Sequence, residues 1–393
     1  MQVYRLKGLK PKIALIDSSV NDAYVKSLLK RGQKVIDVLK VSNQQVMPDE
    51  KTSTDILSHA TLCSKIFLDH VTCDCELIYL NIWEGDEVKA NINDLCAALS
   101  WCLENDIQLI NLSLGTTRLT DVPELLIIIN QLIVNGVLIV AASSNQRKLT
   151  FPAAFDQVIG VKAIFKNRKQ KAGFIYHENP IDRLQISCYV PDELLIYKGE
   201  YYHLNASNSL ATSVISAKIC DLLSQGYASL DEIKEQLKSQ SLTKMPKQLQ
   251  KIYKSHFQNK IEIPVIAILN DGCTQFIKEL EAYFLNHGYQ GICLSADSET
   301  NFSANIINVV DFKDYSLMKK LRFYAHYGQV DYVIIDMNKP TLFAQMEFKE
   351  IDLILYHSSF DIPKVKRKAT CLSFADEEDF TGLFDQVYHY LSV

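Results

Sequence analysis

Between Lys12 and Ala142 the chain alternates short β-rich runs with helical ones, and this alternation constrains the fold more than any other feature. "KIALID" (12–17) reads as a strand ending on a carboxylate, and "HATLCSKIF" (59–67) as a helix opening on a histidine. "ELIYLNIW" reads as the next strand, and "INDLCAALSWCLEND" spaces its apolar residues at the helical period. Strand "IQLINLSL", helix "PELLIIINQLIVNG" closed by Gly136, and strand "VLIVAA" continue the series. Helices interposed between strands are crossovers, and crossovers make neighbouring strands parallel. Parallel strands are covered on both faces, so their runs are apolar throughout. The expected fold class is α/β, a parallel sheet with helices on both faces, and its active residues should collect at the carboxyl ends of strands.

At 393 residues the chain exceeds one ordinary core, which predicts two domains. A capping box, Ser229 with Glu232, opens the helix "SLDEIKEQL" near the end of the first unit, 1–240. Residues 241–260 hold five lysines and no acids, and read as a basic linker or solvated helix. From 261 to 393 a second, smaller α/β unit begins with "IPVIAIL" and ends with the helix "EEDFTGLFDQVYHYL". "IPVIAILNDGCTQF" sits where a phosphate loop would lie, but it offers only Gly272 and no lysine before Lys278. A loop that cradles phosphates needs glycines to free its backbone N–H groups and a lysine for the β/γ-phosphates. NTP hydrolysis is therefore excluded, and the unit reads as Rossmann-like. Three roles fit it: positioning substrate, pairing with a second copy into a homo-oligomer, or aiding folding.

Composition removes other classes. A net charge of −5 and a pI near 6.0 give no footprint for nucleic acid. No opening segment has the basic start, apolar run and small-residue site of a signal peptide. Runs such as "LLIIIN" are far shorter than a membrane span requires. Cys63, Cys96, Cys102 and Cys220 lie in apolar helical patterns, where a reduced thiol packs as a small hydrophobe. Cys73 and Cys75 lack the two-residue gap of zinc or redox pairs. The expected location is the cytoplasm.

Four polar residues end apolar runs, in the order Asp17, His59, Asn145, Ser209. A serine nucleophile needs a base near neutral pH, and histidine is suited to that role. The base needs a carboxylate to fix its tautomer, and the tetrahedral oxyanion needs donors such as a side-chain amide. Together the four name a reaction class, acyl transfer. Ser209 opens a helical pattern, so it also reads as an N-cap, with Ser207 and Asn208 as alternatives. Cys63, four residues after His59, would suit a Cys–His dyad, yet it lies in an apolar helical pattern where a thiol packs as a small hydrophobe.

The local contexts are similar to those of the subtilisin-like serine proteases, the subtilase family. "IALIDSS" resembles the aspartate motif and "SHATLCSKI" the histidine motif. "DIQLINLSLG" matches the strand ending in Ser-Leu-Gly, and "VLIVAASSN" the strand leading to the oxyanion asparagine. "FPAAFDQVIGVKA" is similar to the Tyr-Pro-Ala segment, and "SNSLATSVISAKI" to the Gly-Thr-Ser-Met-Ala motif. The resemblance covers about residues 10 to 225, in the family's order. It implies a subtilisin-like fold in which Asp17 orients His59 and His59 acts as base for Ser209. Asn145 and the Ser209 backbone N–H would hold the oxyanion, with the helix start adding favourable potential. Ser113, Leu114 and Gly115 would bind an extended peptide as an added strand. No cofactor is implied, and no acidic loop suggests a metal.

Glycines of these motifs are replaced by Ser19, Ala60 and Ser144, Gly-Thr by Ser207-Asn208, and a proline by Ser213. Each lost glycine adds a Cβ near substrate, so the cleft is either selective or impaired. Only 16 residues precede Asp17, too few for the family's inhibitory pro-domain. The resulting expectation is an intracellular endopeptidase acting on a peptide, by analogy one that removes leaders from ribosomally made, modified peptides. The alternative is a catalytically impaired subtilase that binds peptide as a scaffold.

Overall fold

A computed structural model describes residues 10–49, 57–83, 90–165, 173–190, 193–243, 256–257, 260–269, 274–295, 306–308, 315–337, 350–359, 369–375 and 380–391. The chain divides into two compact units, Met1–Met245 and Pro246–Val393. The basic stretch 241–260 lies mostly outside the described residues, as does the loop at 270–273.

The first unit runs β1 (Lys12–Asp17), α1 (Asp22–Leu28), β2 (Lys34–Ser42), β3 (Gln45–Pro48), α2 (His59–His70), β4 (Glu76–Asn81), α3 (Ile92–Glu104), β5 (Leu109–Leu112), α4 (Val122–Val134) and β6 (Leu138–Ala142). It continues with β7 (Ile159–Phe165), β8 (Phe174–Tyr176), β9 (Ile186–Val190), β10 (Glu193–Tyr197), β11 (Glu200–Leu204), α5 (Asn208–Ser224) and α6 (Leu230–Ser239). Nine strands form one sheet in the order β3-β2-β4-β1-β5-β6-β7-β9-β8. It is parallel except where β3 pairs with β2 and β8 with β9. Strands β10 and β11 form a separate hairpin.

The central strands are buried on both faces, as their unbroken apolar runs require. Ile13 and Leu15 of β1 share a core with Ile66 and Phe67 of α2 and with Ile215 and Ile219 of α5. Ala14 and Ile16 point the other way and are equally buried. Helix α5 is one of the most buried elements: Ala211, Thr212, Ser213, Ile215, Ser216, Ala217, Ile219 and Cys220 are all fully covered. Small residues along it let α5 lie close against the sheet and α2, so the carboxyl ends of β1, β5 and β6 open beside its first turn.

The second unit contains β12 (Val265–Leu269), α7 (Thr274–Asn286), β13 (Gly291–Ser295), β14 (Ile306–Asn308), α8 (Leu317–Tyr327), β15 (Tyr332–Asp336), β16 (Leu353–His357), β17 (Thr370–Phe374) and α9 (Thr381–Leu391). Its six strands are all parallel, in the order β14-β13-β15-β12-β16-β17. An aromatic cluster seals one side, with Phe276 stacked on Phe374 and edge-on to Phe380.

Candidate active site

Asp17 ends β1 and is 2% exposed. The next residue fixes both its carboxylate and its surroundings. Ser18 N–H donates to Asp17 Oδ1 at 2.6 Å, and Ser18 Oγ accepts from Ala60 N–H at 3.0 Å. That second bond ties the aspartate turn to the first turn of α2. His59 is the first residue of this helix, whose N-cap Ser58 accepts from Thr61 N–H at 3.2 Å.

His59 Nδ1 lies 2.7 Å from Asp17 Oδ1 and 2.9 Å from Oδ2. A carboxylate only accepts, so Nδ1–H donates to it and Nε2 is left as the basic nitrogen. Burial disfavours the imidazolium, but Cys63 and Asp17 outweigh it and carry the His59 pKa up to about 11. The Cys63 contribution requires a thiolate. Burial pushes that thiol up as well, with Asp17 adding to the effect, so near neutral pH Asp17 is the effective support. Cys63 Sγ is 3.9 Å from Nδ1, against 2.7 Å for the carboxylate, and the residue is buried. This is the geometry of a buried, packing thiol beside the Asp17–His59 contact.

Ser209 is the second residue of α5, not its cap. The helix begins at Asn208, and Ser207 caps it by accepting from Leu210 N–H at 3.3 Å. The expected helix start thus moves by one residue, and the cap and the candidate nucleophile are different serines. Ser209 Oγ donates to the Ser113 carbonyl at 3.2 Å, and among the described residues no hydrogen bond joins it to His59.

Asn145 follows β6, and its Oδ1 accepts from Asn208 N–H at 3.2 Å. This bond uses the amide oxygen, so the Nδ2 group of Asn145 is the end that can donate to another acceptor. Asn208 itself is clamped. Its Oδ1 accepts from Ala163 N–H at 2.7 Å, and its Nδ2 donates to the Ser143 carbonyl at 2.9 Å. His59, Ser113, Leu114, Gly115, Asn145 and Ser209 line a single cleft of about 920 Å³, and Asp17 sits behind His59. A Cβ on Gly115 would stand 2.5 Å from the Phe151 carbonyl oxygen, so that wall requires glycine.

Several residues here escaped the sequence reading. Trp83 stacks on His59 with ring centroids 5.7 Å apart and planes 20° from parallel, shielding the imidazole on the cleft side. A buried chain of contacts runs from Ser216 Oγ to Asn111 Oδ1 (2.8 Å), from Asn111 Nδ2 to Ser113 Oγ (3.1 Å), and from Ser113 Oγ to Cys63 Sγ (3.6 Å). It joins the two helices that carry His59 and Ser209. The only signal for Trp83 was its place at the end of "NIW", and Asn208 had none beyond its departure from the motif. Asp17, His59 and Cys63 also offer metal-ligand atoms within 4.8 Å of one another. A cation there would compete with Asp17 for Nδ1 and so would oppose the Asp–His pair.

Residues 8–256 match the family model described as "Subtilase family". The chain belongs to the subtilase family. Two Bacillus subtilis (strain 168) proteins align with this subtilase. The minor extracellular protease Epr is 29% identical over 127 residues, covering 32% of this chain and 19% of that protein. The major intracellular serine protease is 27% identical over 101 residues, covering 24% and 31%. The matched stretches therefore span about a fifth and a third of those relatives. Among solved structures, the prenylagaramide maturation protease PagA superposes with a TM-score of 0.43 at 21% identity, covering 60% of this chain and 85% of that one. A lanthipeptide protease gives 0.44 at 14% identity, covering 59% and 80%.

Proposed function

We propose that this subtilase is a serine endopeptidase that cleaves extended peptides inside the cell, through an acyl-enzyme on Ser209. The observation that carries the reading is the donation of His59 Nδ1–H to both Asp17 oxygens, with Ser209 in the same cleft. In the reaction, Ser209 Oγ leaves the Ser113 carbonyl and gives its proton to the neutral His59 Nε2 as it attacks the scissile carbonyl. Asp17 steadies the imidazolium that forms. The Asn145 amide and the Ser209 N–H receive the oxyanion, favoured by the first turn of α5. His59 then passes the proton to the leaving amine, and water releases the acyl group by the reverse sequence.

An extended substrate suits the backbone at Ser113–Gly115, which lies along the cleft. Within that class we assign leaders of ribosomally made, modified peptides, a reading supported by the sequence resemblance alone. An intracellular site agrees with the nine described cysteines, all free thiols. No helix among the described residues is long and apolar enough to cross a membrane.

A fluorophosphonate probe tests the chemistry. Labelling of the wild type, with none of Ser209→Ala, is expected; equal labelling of both, or of neither with the fold intact, overturns the proposal. One observation favours a second reading, a cleft that binds peptide without cutting it: Ser209 Oγ is bonded to Ser113 rather than His59. That reading expects an unlabelled wild type and a Ser209→Ala variant that binds peptide equally well.

A further inference from the structure

Cys73 and Cys220 are 147 residues apart in sequence, yet their sulfurs lie 3.4 Å apart. Cys220 is fully buried near the end of α5, and Cys73 is half-buried in the turn between α2 and β4. The turn is fixed to the helix beside them. Asp221 Oδ1 accepts from the N–H groups of Thr72 and Cys73, both at 2.9 Å, and Asp221 Oδ2 accepts from Thr72 Oγ1 at 2.9 Å. This carboxylate holds the Cys73 backbone against the helix, so the two thiols face each other before any reaction. Bond formation brings the sulfurs from 3.4 Å to about 2.05 Å, a movement within reach of side-chain rotation.

We propose that Cys73 and Cys220 form a reversible disulfide, a modification site that staples the far ends of the two helices bearing His59 and Ser209. Low-molecular-weight disulfides such as oxidised glutathione are the oxidant class. The half-buried Cys73 is the thiol such a reagent can reach. Its thiolate attacks one glutathione sulfur and releases the other half as a thiolate, leaving a mixed disulfide on Cys73. Cys220 then loses its proton, attacks Cys73 Sγ and expels the second glutathione. Two protein thiols have given up two electrons and two protons, and one glutathione disulfide has become two glutathione thiols. Hydrogen bonds to Cys73 and Cys75, together with burial, push the Cys220 thiol far above its ordinary value. Cys220 is therefore the resolving partner and not the initial nucleophile. Cys75, fully buried beside it, is screened from the reagent. A cross-link over this span removes freedom chiefly from the unfolded chain. Because the sulfurs already touch, the folded site changes little.

The test uses the full chain, reduced, then treated with oxidised glutathione, quenched by alkylation and mapped by peptide mass spectrometry. A Cys73–Cys220 cross-linked peptide is expected, reversed by dithiothreitol. It should accompany a rise in thermal midpoint of roughly 10 °C, absent in Cys73→Ser. Persistent glutathione on Cys73 without the cross-link, pairing through Cys75, or no change at either residue overturns the inference. Cys75→Ser, which should still cross-link, guards against a misfolded Cys73 variant. None of these readouts depends on peptidase activity, so failure here is distinct from failure of the proposed function.

Discussion

Asn208 stands where the family motif has threonine, and the structure gives it a specific duty: its side chain links Ala163 within β7 to Ser143 just past β6, while its N–H orients the Asn145 amide. Asn208→Ala leaves the Ala163 N–H and the Ser143 carbonyl without their partner. An unsatisfied group costs about 1–3 kcal/mol when buried; here both bonds are only part-buried, so a total near 2 kcal/mol is expected. That corresponds to a thermal midpoint lower by roughly 6 °C. On the proposed function, losing an oxyanion donor outright costs about 10²–10³ in kcat. Loosening one costs less, so Asn208→Ala should lower kcat roughly tenfold with KM nearly unchanged. A fluorogenic peptide, with active sites counted by fluorophosphonate titration, separates the two parameters. Asn208→Thr keeps one of the two side-chain bonds and should recover part of the loss. The decisive comparison is with Asn145→Ala. If Asn208 acts through Asn145, the double variant is no slower than Asn145→Ala alone. Fully additive losses would refute the reasoning.

Asp17→Asn should reduce kcat about 10⁴-fold, as a neutral amide neither holds the required tautomer nor steadies the imidazolium. The acid limb of its pH–rate profile should move to lower pH, because the base acts when neutral and Asp17 helps raise the His59 pKa. Cys63→Ala, by contrast, should leave that limb in place, since the buried thiol is neutral throughout the working range. His177 titrates in the opposite sense: burial first, then the Lys162 ammonium, hold it down to about 4. Its folded value lies below its unfolded value near 6.5, so the unfolded chain binds the extra proton, and stability falls as pH drops from about 6.5 to about 4. The full effect is about 3 kcal/mol, and His177→Gln should flatten the decline in urea unfolding midpoints across that window.

What the sequence disclosed follows from what each element depends on. Strand β1 and helices α2 and α5 were readable because burial makes their apolar pattern continuous and their polar ends abrupt. β2 escaped because "KVIDVLKVS" is half-exposed and mixes charges into the strand. The β10–β11 hairpin turns through Lys198 and Gly199, both at positive φ, without the Asn-Gly or Asp-Gly pair that advertises such a turn. Helix α8, "LMKKLRFYAHY", hides its apolar face among four basic residues. The site divides the same way. Asp17, His59, Ser209 and Asn145 are legible as strand and helix ends, whereas the Asn208 clamp and the Cys73–Cys220 contact join residues 45 to 147 apart and exist only once the chain has folded.

The replaced glycines bear on whether the cleft is strained or merely reshaped. Ser19, Ala60, Ser144 and Ser207 are all absent from the positions with positive φ, so none occupies a conformation that penalises a side chain. Several put the added atoms to use. Ser144 Oγ accepts from Gln146 N–H at 3.1 Å, Ser207 caps α5, and Ser213 Oγ, where the family has proline, donates to the Ser209 carbonyl at 3.3 Å. Glycine persists where a Cβ would strike backbone: at Gly115, against the Phe151 carbonyl, and at Gly160, where the Ala153 carbonyl oxygen would be 2.1 Å away. At these two positions glycine is kept because a side chain would strike the backbone. Of the replaced positions, Ser144 lines the cleft, and none bends the backbone that holds His59 and Ser209 into positive φ. A side chain at Ser144 meets whatever enters the cleft, while the Asp17–His59 contact behind it keeps its 2.7 Å geometry.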